Sequence, residues 1–251
     1  MRSKHGHQKR RLKLQAIPKV DPLSITNFER NRIEQELFLL FCIFVAGRAS
    51  LPIADKLNRM FSLNDLCMPA KLPDDCTQEM RYSAAVVRTS LTSNMRPFSI
   101  LRKLYDEGLL MHFLQLHKLG QYTRIYNCIE EITNPATGIT ILSDVSVDAL
   151  VSYSGIGPKT ARFFVVHSRP NQKYAILDTH ILNMISRYLS ENCGRVSSPY
   201  RELVPKSTPQ NETEYKFWEL MYLGICSKQH KEPAEFDLAT WLAKGGVAEL
   251  N

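Results

Sequence analysis

The sequence predicts an all-α fold on three observations. Apolar residues recur at three- and four-residue spacing, glycine and proline cut the chain into helix-length pieces, and alternating apolar and polar runs are scarce. Ile33, Leu37, Leu40, Phe41 and Phe44 share one helical face after a capping region at Ser24-x-x-Asn27, so a first helix is predicted from Phe28 onward. Its apolar character widens toward Ala46, which argues for burial on several sides. Gly47 and Pro52 interrupt it, and helices are predicted at 52–61, 79–92, 98–118 and 121–133. Asn134 to Gly138 reads as a loop, and Val145 to Tyr153 as one short helix before a glycine pair. Helices at 159–168, 179–190, 211–227 and 233–243 complete the chain, with a polar, proline-bounded stretch from Ser197 to Pro209.

A chain of 251 residues, 44% hydrophobic and 23% charged, can bury a real core, which argues against a disordered, collagenous or disulfide-stapled protein. The longest apolar run, Leu37 to Ala46, is about half of the roughly 20 residues that a membrane helix needs. A soluble protein without a membrane partner is expected. The net charge of +7 sits at one end: residues 1–20 carry Arg2, Lys4, Lys9, Arg10, Arg11, Lys13 and Lys19 and no acid. The rest of the chain keeps 25 basic residues against 25 acidic ones. Such an arm can follow a phosphate backbone, serve as a nuclear or mitochondrial address, or be a solvated tail. The six cysteines (Cys42, Cys67, Cys76, Cys128, Cys193, Cys226) include no C-x-x-C pair and accompany no secretory segment, so they read as reduced thiols, with Cys42 a core residue and no metal site.

The sharpest local feature is the turn Y-S-G-I-G-P-K-T-A at 153 to 161, between two predicted helices. Gly155 and Gly157 let the turn take positive φ and bring backbone N–H groups close to a ligand; at the start of the next helix those amides suit a phosphate oxygen. By itself this is also what a tight turn between packed helices looks like. Nineteen residues beyond Lys159, Asp178 opens the helix that starts at Thr179 in Y-A-I-L-D-T-H-I-L. Taken alone, Asp178 is a helix cap and Lys159 a solvated first-turn lysine.

Together, G-I-G-P-K-T-A and L-D-T-H-I at their spacing resemble the signature of the helix-hairpin-helix DNA glycosylase superfamily, the endonuclease III and 8-oxoguanine glycosylase group, where L-P-G-[VI]-G-x-K-T-A is followed by [VL]-D-T-H-[VI]. The motifs lie in residues 146–185. Looser similarity at 36–46, at G-Q-Y-T-R (120–124) and at D-L-A-T-W (237–241) extends the resemblance over roughly residues 28–245. It implies a two-lobed all-α fold: a basic arm at 1–20, a helical barrel lobe at 21–165 with the helix-hairpin-helix at about 146–168, and a second lobe at 166–251 carrying the catalytic aspartate. Two positions depart from the pattern. Ser154 stands where the family usually has proline, which is expected to loosen the hairpin. Only Cys193 and Cys226 follow the catalytic region, so the iron–sulfur cluster of the endonuclease III branch is not expected, and the one cofactor left open is a monovalent cation at the hairpin.

The resemblance implies that Lys159 is the nucleophile and Asp178 the catalytic carboxylate of a bifunctional glycosylase and abasic-site lyase. Elementary chemistry agrees. Cleaving an N-glycosidic bond builds positive charge on the sugar, which a carboxylate in a water-poor cleft stabilises. A neutral amine can attack C1′ and form a Schiff base that permits β-elimination of the 3′ phosphate. At an ordinary lysine pKa only roughly one amine in 2,500 is neutral at pH 7, so burial or a helix N-terminus must favour that form. The base must be extruded from the duplex and the gap filled by a wedge. Arg48, in the loop after the first helix, is the wedge candidate, with a surface arginine as the alternative. Gly155, Gly157, Thr160 and Lys206 are candidates for DNA contact, Lys206 together with Ser207 and Thr208. His180 reads as a structural helix residue, and Trp241 and Phe236 as core aromatics that could stack on a base. The expected partner is double-stranded DNA containing a damaged base, of 8-oxoguanine type from the A-I-L-D-T-H-I-L wording with oxidised pyrimidines and mismatched bases left open, bound by a monomer in a reducing, DNA-containing compartment. A monofunctional glycosylase and a non-catalytic hairpin protein are the alternatives.

Overall fold

The computed structural model describes residues 17–62, 74–192 and 202–243; most of the basic arm, Cys67 and Cys193 lie outside these. The described residues form eleven α-helices and one 3-10 turn at Pro22–Ser24, with no strand among them. No described helix is long and apolar enough to cross a membrane. The helices are α1 (Arg32–Val45), α2 (Ser50–Met60), α3 (Gln78–Thr92), α4 (Pro97–Asp106), α5 (Leu110–Leu116), α6 (Tyr122–Ile132), α7 (Val147–Val151), α8 (Pro158–Ser168), α9 (Thr179–Asn192), α10 (Glu212–Lys228) and α11 (Pro233–Trp241).

Helix α1 is the axis of the larger core. Every residue from Glu36 to Phe44 is buried, because the helix packs against α2, α4 and α8 on different sides. It starts later than predicted. Asn31, not the Ser24-x-x-Asn27 stretch, caps it: the Asn31 side chain accepts from the N–H groups of Ile33 and Glu34, and Glu34 reaches back to the Asn31 N–H at 2.8 Å. The residues before it are pinned instead to the end of α8, where the Asn27 N–H and the Arg30 guanidinium donate to the His167 carbonyl at 3.1 and 2.7 Å. Glu36, 1% exposed, accepts the Phe98 N–H at 3.0 Å and pairs with Arg96 at 3.2 Å, so a carboxylate on α1 caps α4.

The single helix predicted at 98–118 is two. Gly108 takes φ +70°, the Leu109 N–H closes on the Leu104 carbonyl at 2.8 Å and the Gly108 N–H on Tyr105 at 2.9 Å, a glycine-based stop that turns the chain between α4 and α5. At the end of α5, His117 is buried with Nε2 unpartnered, and burial with the charges of Arg59 and Lys56 pulls its pKa down to about 3. Folded His117 therefore resists a proton that the unfolded chain accepts near pH 6.5, and stability present above that pH is lost as pH falls toward about 3. The loss attributable to His117 is expected to be of the order of 4 kcal/mol by acid denaturation and to be absent in His117→Phe; equal acid limbs in the two proteins would contradict it.

The buried apolar side chains fall into two main clusters. The larger draws on Ile25 to Val165, the smaller on Ala175 to Cys226 from the segment before α9, α9, Val204 and α10. Val166, Ile176 and Ala234 form a small third cluster. Helix α11 packs on both α8 and α9.

Candidate functional site

The hairpin between α7 and α8 is fixed by hydrogen bonds from α6. The Arg124 guanidinium donates to the Gly155 carbonyl and the Ile43 carbonyl, both at 2.7 Å, tying the turn to the end of α1. Gly155 has φ +80°, and a Cβ there would sit 3.0 Å from Arg124 Cγ and 3.1 Å from the Arg124 carbonyl oxygen. Gly157, in contrast, is extended at φ −87°, ψ 172° as the N-cap of α8, with open space around it. Positive φ is thus needed at one glycine of the pair, not both, since an N-cap takes the ordinary β region. Gly155→Ala is expected to cost about 2 kcal/mol or more and Gly157→Ala less than about 1 kcal/mol in denaturant unfolding. Equal losses would rule out this account.

Ser154 does not loosen the turn. Its N–H donates to Glu131 Oε2 at 2.7 Å and its hydroxyl to Glu131 Oε1, an anchor whose backbone half a proline could not make. The first intrahelical bond of α8 runs from the Ala161 N–H to the Gly157 carbonyl, so the N–H groups of Lys159 and Thr160 precede the ladder at the positive end of the helix.

Asp178 is held from the other side. The chain from Ala175 to Leu177 is buried outside any helix, and most of its backbone bonds go to side chains, with the Ile176 carbonyl taking the Asp178 N–H at 2.7 Å. The Ala175 N–H donates to Glu219 at 2.8 Å, the Leu177 N–H to the Tyr215 hydroxyl at 3.1 Å, that hydroxyl to the Ala175 carbonyl at 2.9 Å, and Thr208 to the Leu177 carbonyl at 2.7 Å. Asp178 then caps α9, with Oδ1 accepting the Ile181 N–H at 2.9 Å. Arg162, 2% exposed on α8, bonds Glu219 at 2.8 Å and Glu212 at 2.7 Å, so one buried guanidinium links the helix bearing Lys159 to the segment that ends in Asp178.

Between them lies a cleft of about 860 Å³, within the size range of ligand sites. Lys159, Asp178, Gly155, Gly157, Thr160 and Arg48 all line it, as do His180 and Trp241. Arg48 is committed elsewhere: its guanidinium donates to the carbonyls of Phe44 and Leu119, so reaching into a duplex would mean releasing both. Burial pulls the guanidiniums of Arg48 and Arg124 below their usual range, and Arg48 is lowered further by the neighbouring Arg124. Lys206 is exposed and outside the lining, although Ser207 and Thr208 beside it take part. Phe236 stacks on Tyr222 with ring centroids 5.9 Å apart rather than facing the cleft.

Sequence reasoning missed Asp237, Arg124 and Gln210, which also line the cleft. Asp237 was visible only as part of D-L-A-T-W, and nothing local marks it as functional. No group of three or more His, Cys, Asp or Glu side chains among the described residues is arranged to hold a metal ion. No known protein family, curated protein or solved structure matches the chain.

Proposed function

We propose that the protein is a DNA glycosylase with abasic-site lyase activity, built on the two-lobed helix-hairpin-helix plan, which excises a damaged base from duplex DNA and nicks the strand through a Lys159 Schiff base. The observation that carries this reading is the shared cleft: an amine at a helix N-terminus and a helix-capping carboxylate, far apart in sequence, line the same pocket beside a glycine turn. A hairpin that only bound DNA would need the turn and not the pair.

In this reading the first-turn amides of α8 hold a phosphate of the damaged strand, the extruded nucleotide enters the cleft, and Asp178 stabilises the positive charge that develops on the sugar as the bond to the base lengthens. The Lys159 amine bonds to C1′, the glycosidic electron pair leaves with the base, and ring opening yields the imine from which the 3′ phosphate is eliminated. Trp241 supplies an aromatic face in the cleft for the base. The preferred substrate is an oxidised purine of 8-oxoguanine type. The protein acts as a monomer in a reducing compartment that contains DNA, with the arm at 1–20 adding salt-dependent affinity.

The test is borohydride trapping and base release on 8-oxoguanine, thymine glycol, uracil and plain abasic duplexes. A trapped adduct, strongest beyond the abasic control on the 8-oxoguanine duplex, is expected. Base release without adduct would make the enzyme monofunctional, and DNA binding with neither would leave a non-catalytic hairpin module.

A further inference from the structure

One buried chain of hydrogen bonds reaches the cleft without a part in the chemistry above. His167, fully buried in the last turn of α8, contacts Thr26 Oγ1 through Nδ1 at 2.7 Å and Asp237 Oδ2 through Nε2 at 3.1 Å. Asp237, 8% exposed on α11, lines the same cleft as Lys159 and Asp178. Lys159 from α8 and Asp178 at the start of α9 bear on its charge, His167 from α8 bonds it, and Tyr215, Tyr222 and Cys226 from α10 are in turn pushed up by it.

We propose that Asp237 is a second carboxyl of the reaction, the proton holder that takes a proton from Lys159 and returns it to the departing base, and that His167 is the positioning residue that keeps it satisfied in both states. The inference rests on the glycosylase reading and deepens it. Two observations and the proton balance support it.

The two carboxyls sit in opposite environments. Asp178 accepts a backbone N–H at a helix N-terminus, a place that favours negative charge. Burial instead lifts the Asp237 carboxyl above its usual range, the nearby Asp178 adding to the rise, against the opposing pull of its His167 hydrogen bond and of Lys159. Paired carboxyls in unlike surroundings are the arrangement that divides an acid–base role from an electrostatic one.

The hydrogen bonds of His167 tolerate either state. With Asp237 ionised, Nε2–H donates to Oδ2 and Nδ1 accepts from the Thr26 hydroxyl. With the proton on Oδ1, the oxygen His167 does not contact, Nε2–H still donates to Oδ2 and Nδ1 still accepts from Thr26, so the buried ring keeps its tautomer. Neither state leaves an unpaired polar atom on the ring.

The proton count closes. Lys159 ammonium and Asp237 carboxylate become amine and carboxylic acid. The amine bonds to C1′, the C1′–N bond to the base breaks with its electron pair going to the base, and Asp237 protonates that base to regain its charge. Asp178 takes no part in this proton transfer, so the site keeps a second carboxyl to face the sugar cation.

The test follows single-turnover trapping on a plain abasic duplex from about pH 5 to about pH 10, together with carbon NMR of the Asp237 carboxyl in aspartate-labelled full-length protein. The Asp237 carboxyl is expected to keep its proton above the ordinary aspartate value of about 3.9. Asp237→Asn is expected to slow trapping about 10²-fold near pH 7 and to recover toward wild type at the alkaline end, where lysine loses its proton unaided. His167→Phe, which removes the bond that pulls the carboxyl down, is expected to move the acid limb of the profile to higher pH. His167→Gln, which still donates to Oδ2, is expected to leave it near wild type. An Asp237→Asn defect that is the same at every pH, or a carboxyl that titrates as an ordinary aspartate, overturns the proton-holding role alone. Absence of any adduct or base release with the wild-type protein overturns the glycosylase reading itself.

Discussion

Lys159→Gln is expected to form no borohydride-trapped adduct on any duplex and to release base about 10³-fold or more slowly than wild type, the order of loss when a covalent nucleophile is removed. The substitution is mild for the fold. Lys159 is the second residue of α8, half-buried at the cleft, and lysine and glutamine have nearly equal helix propensities. Asp178→Asn separates the second role from the first. Asparagine caps a helix as well as aspartate does, so the bond to the Ile181 N–H and the start of α9 survive while the charge is lost. Base release should fall about 10²- to 10³-fold, and trapping on an abasic duplex should persist at a reduced rate because the amine is still present. If Lys159→Gln keeps the adduct, another amine is the nucleophile; if Asp178→Asn is as active as wild type, the carboxylate is only a cap.

Arg162→Ala is expected to destabilise the protein by about 3–5 kcal/mol, measured as the change in unfolding free energy in denaturant. Arg162 and Glu219 are 2% and 7% exposed, so removing the guanidinium strands a carboxylate in the interior. Glu219 is also the acceptor for the Ala175 N–H, so its disturbance is passed to the segment that ends in Asp178. The partner Glu212 is 43% exposed and contributes little of this, since surface ion pairs are weak. Arg162→Met with Glu219→Gln, which removes both charges and keeps an acceptor for Ala175, should recover most of the loss. The single variant should also lower activity more than stability predicts, because α8 and Asp178 lose their common anchor. A loss below about 1 kcal/mol for Arg162→Ala would show that the network does not bridge the two.

The extent to which the sequence specified this molecule differs from element to element. Helix periodicity placed α1, α3, α6, α8, α9 and α10 within a few residues, because each buries a stripe whose spacing is written locally. The errors came where tertiary partners or single backbone conformations decide. The start of α1 depends on Asn31 and Glu34 closing a capping box, with the preceding turn drawn away to His167. The break between α4 and α5 depends on one glycine at φ +70°.

For the cleft, the sequence by itself determined the chemical types that matter: the glycine turn, an amine at a helix start and a carboxylate at another, each tied to a short-range signal. What only the tertiary structure decided is which distant groups meet them. Arg124 holds the hairpin, Arg162 and Glu219 bridge α8 to the segment before α9, and Thr26, His167 and Asp237 come together from three parts of the chain. A buried polar group leaves no periodic trace in sequence, because its position is set by the hydrogen-bond partner it must find to offset desolvation, and that partner is chosen by packing.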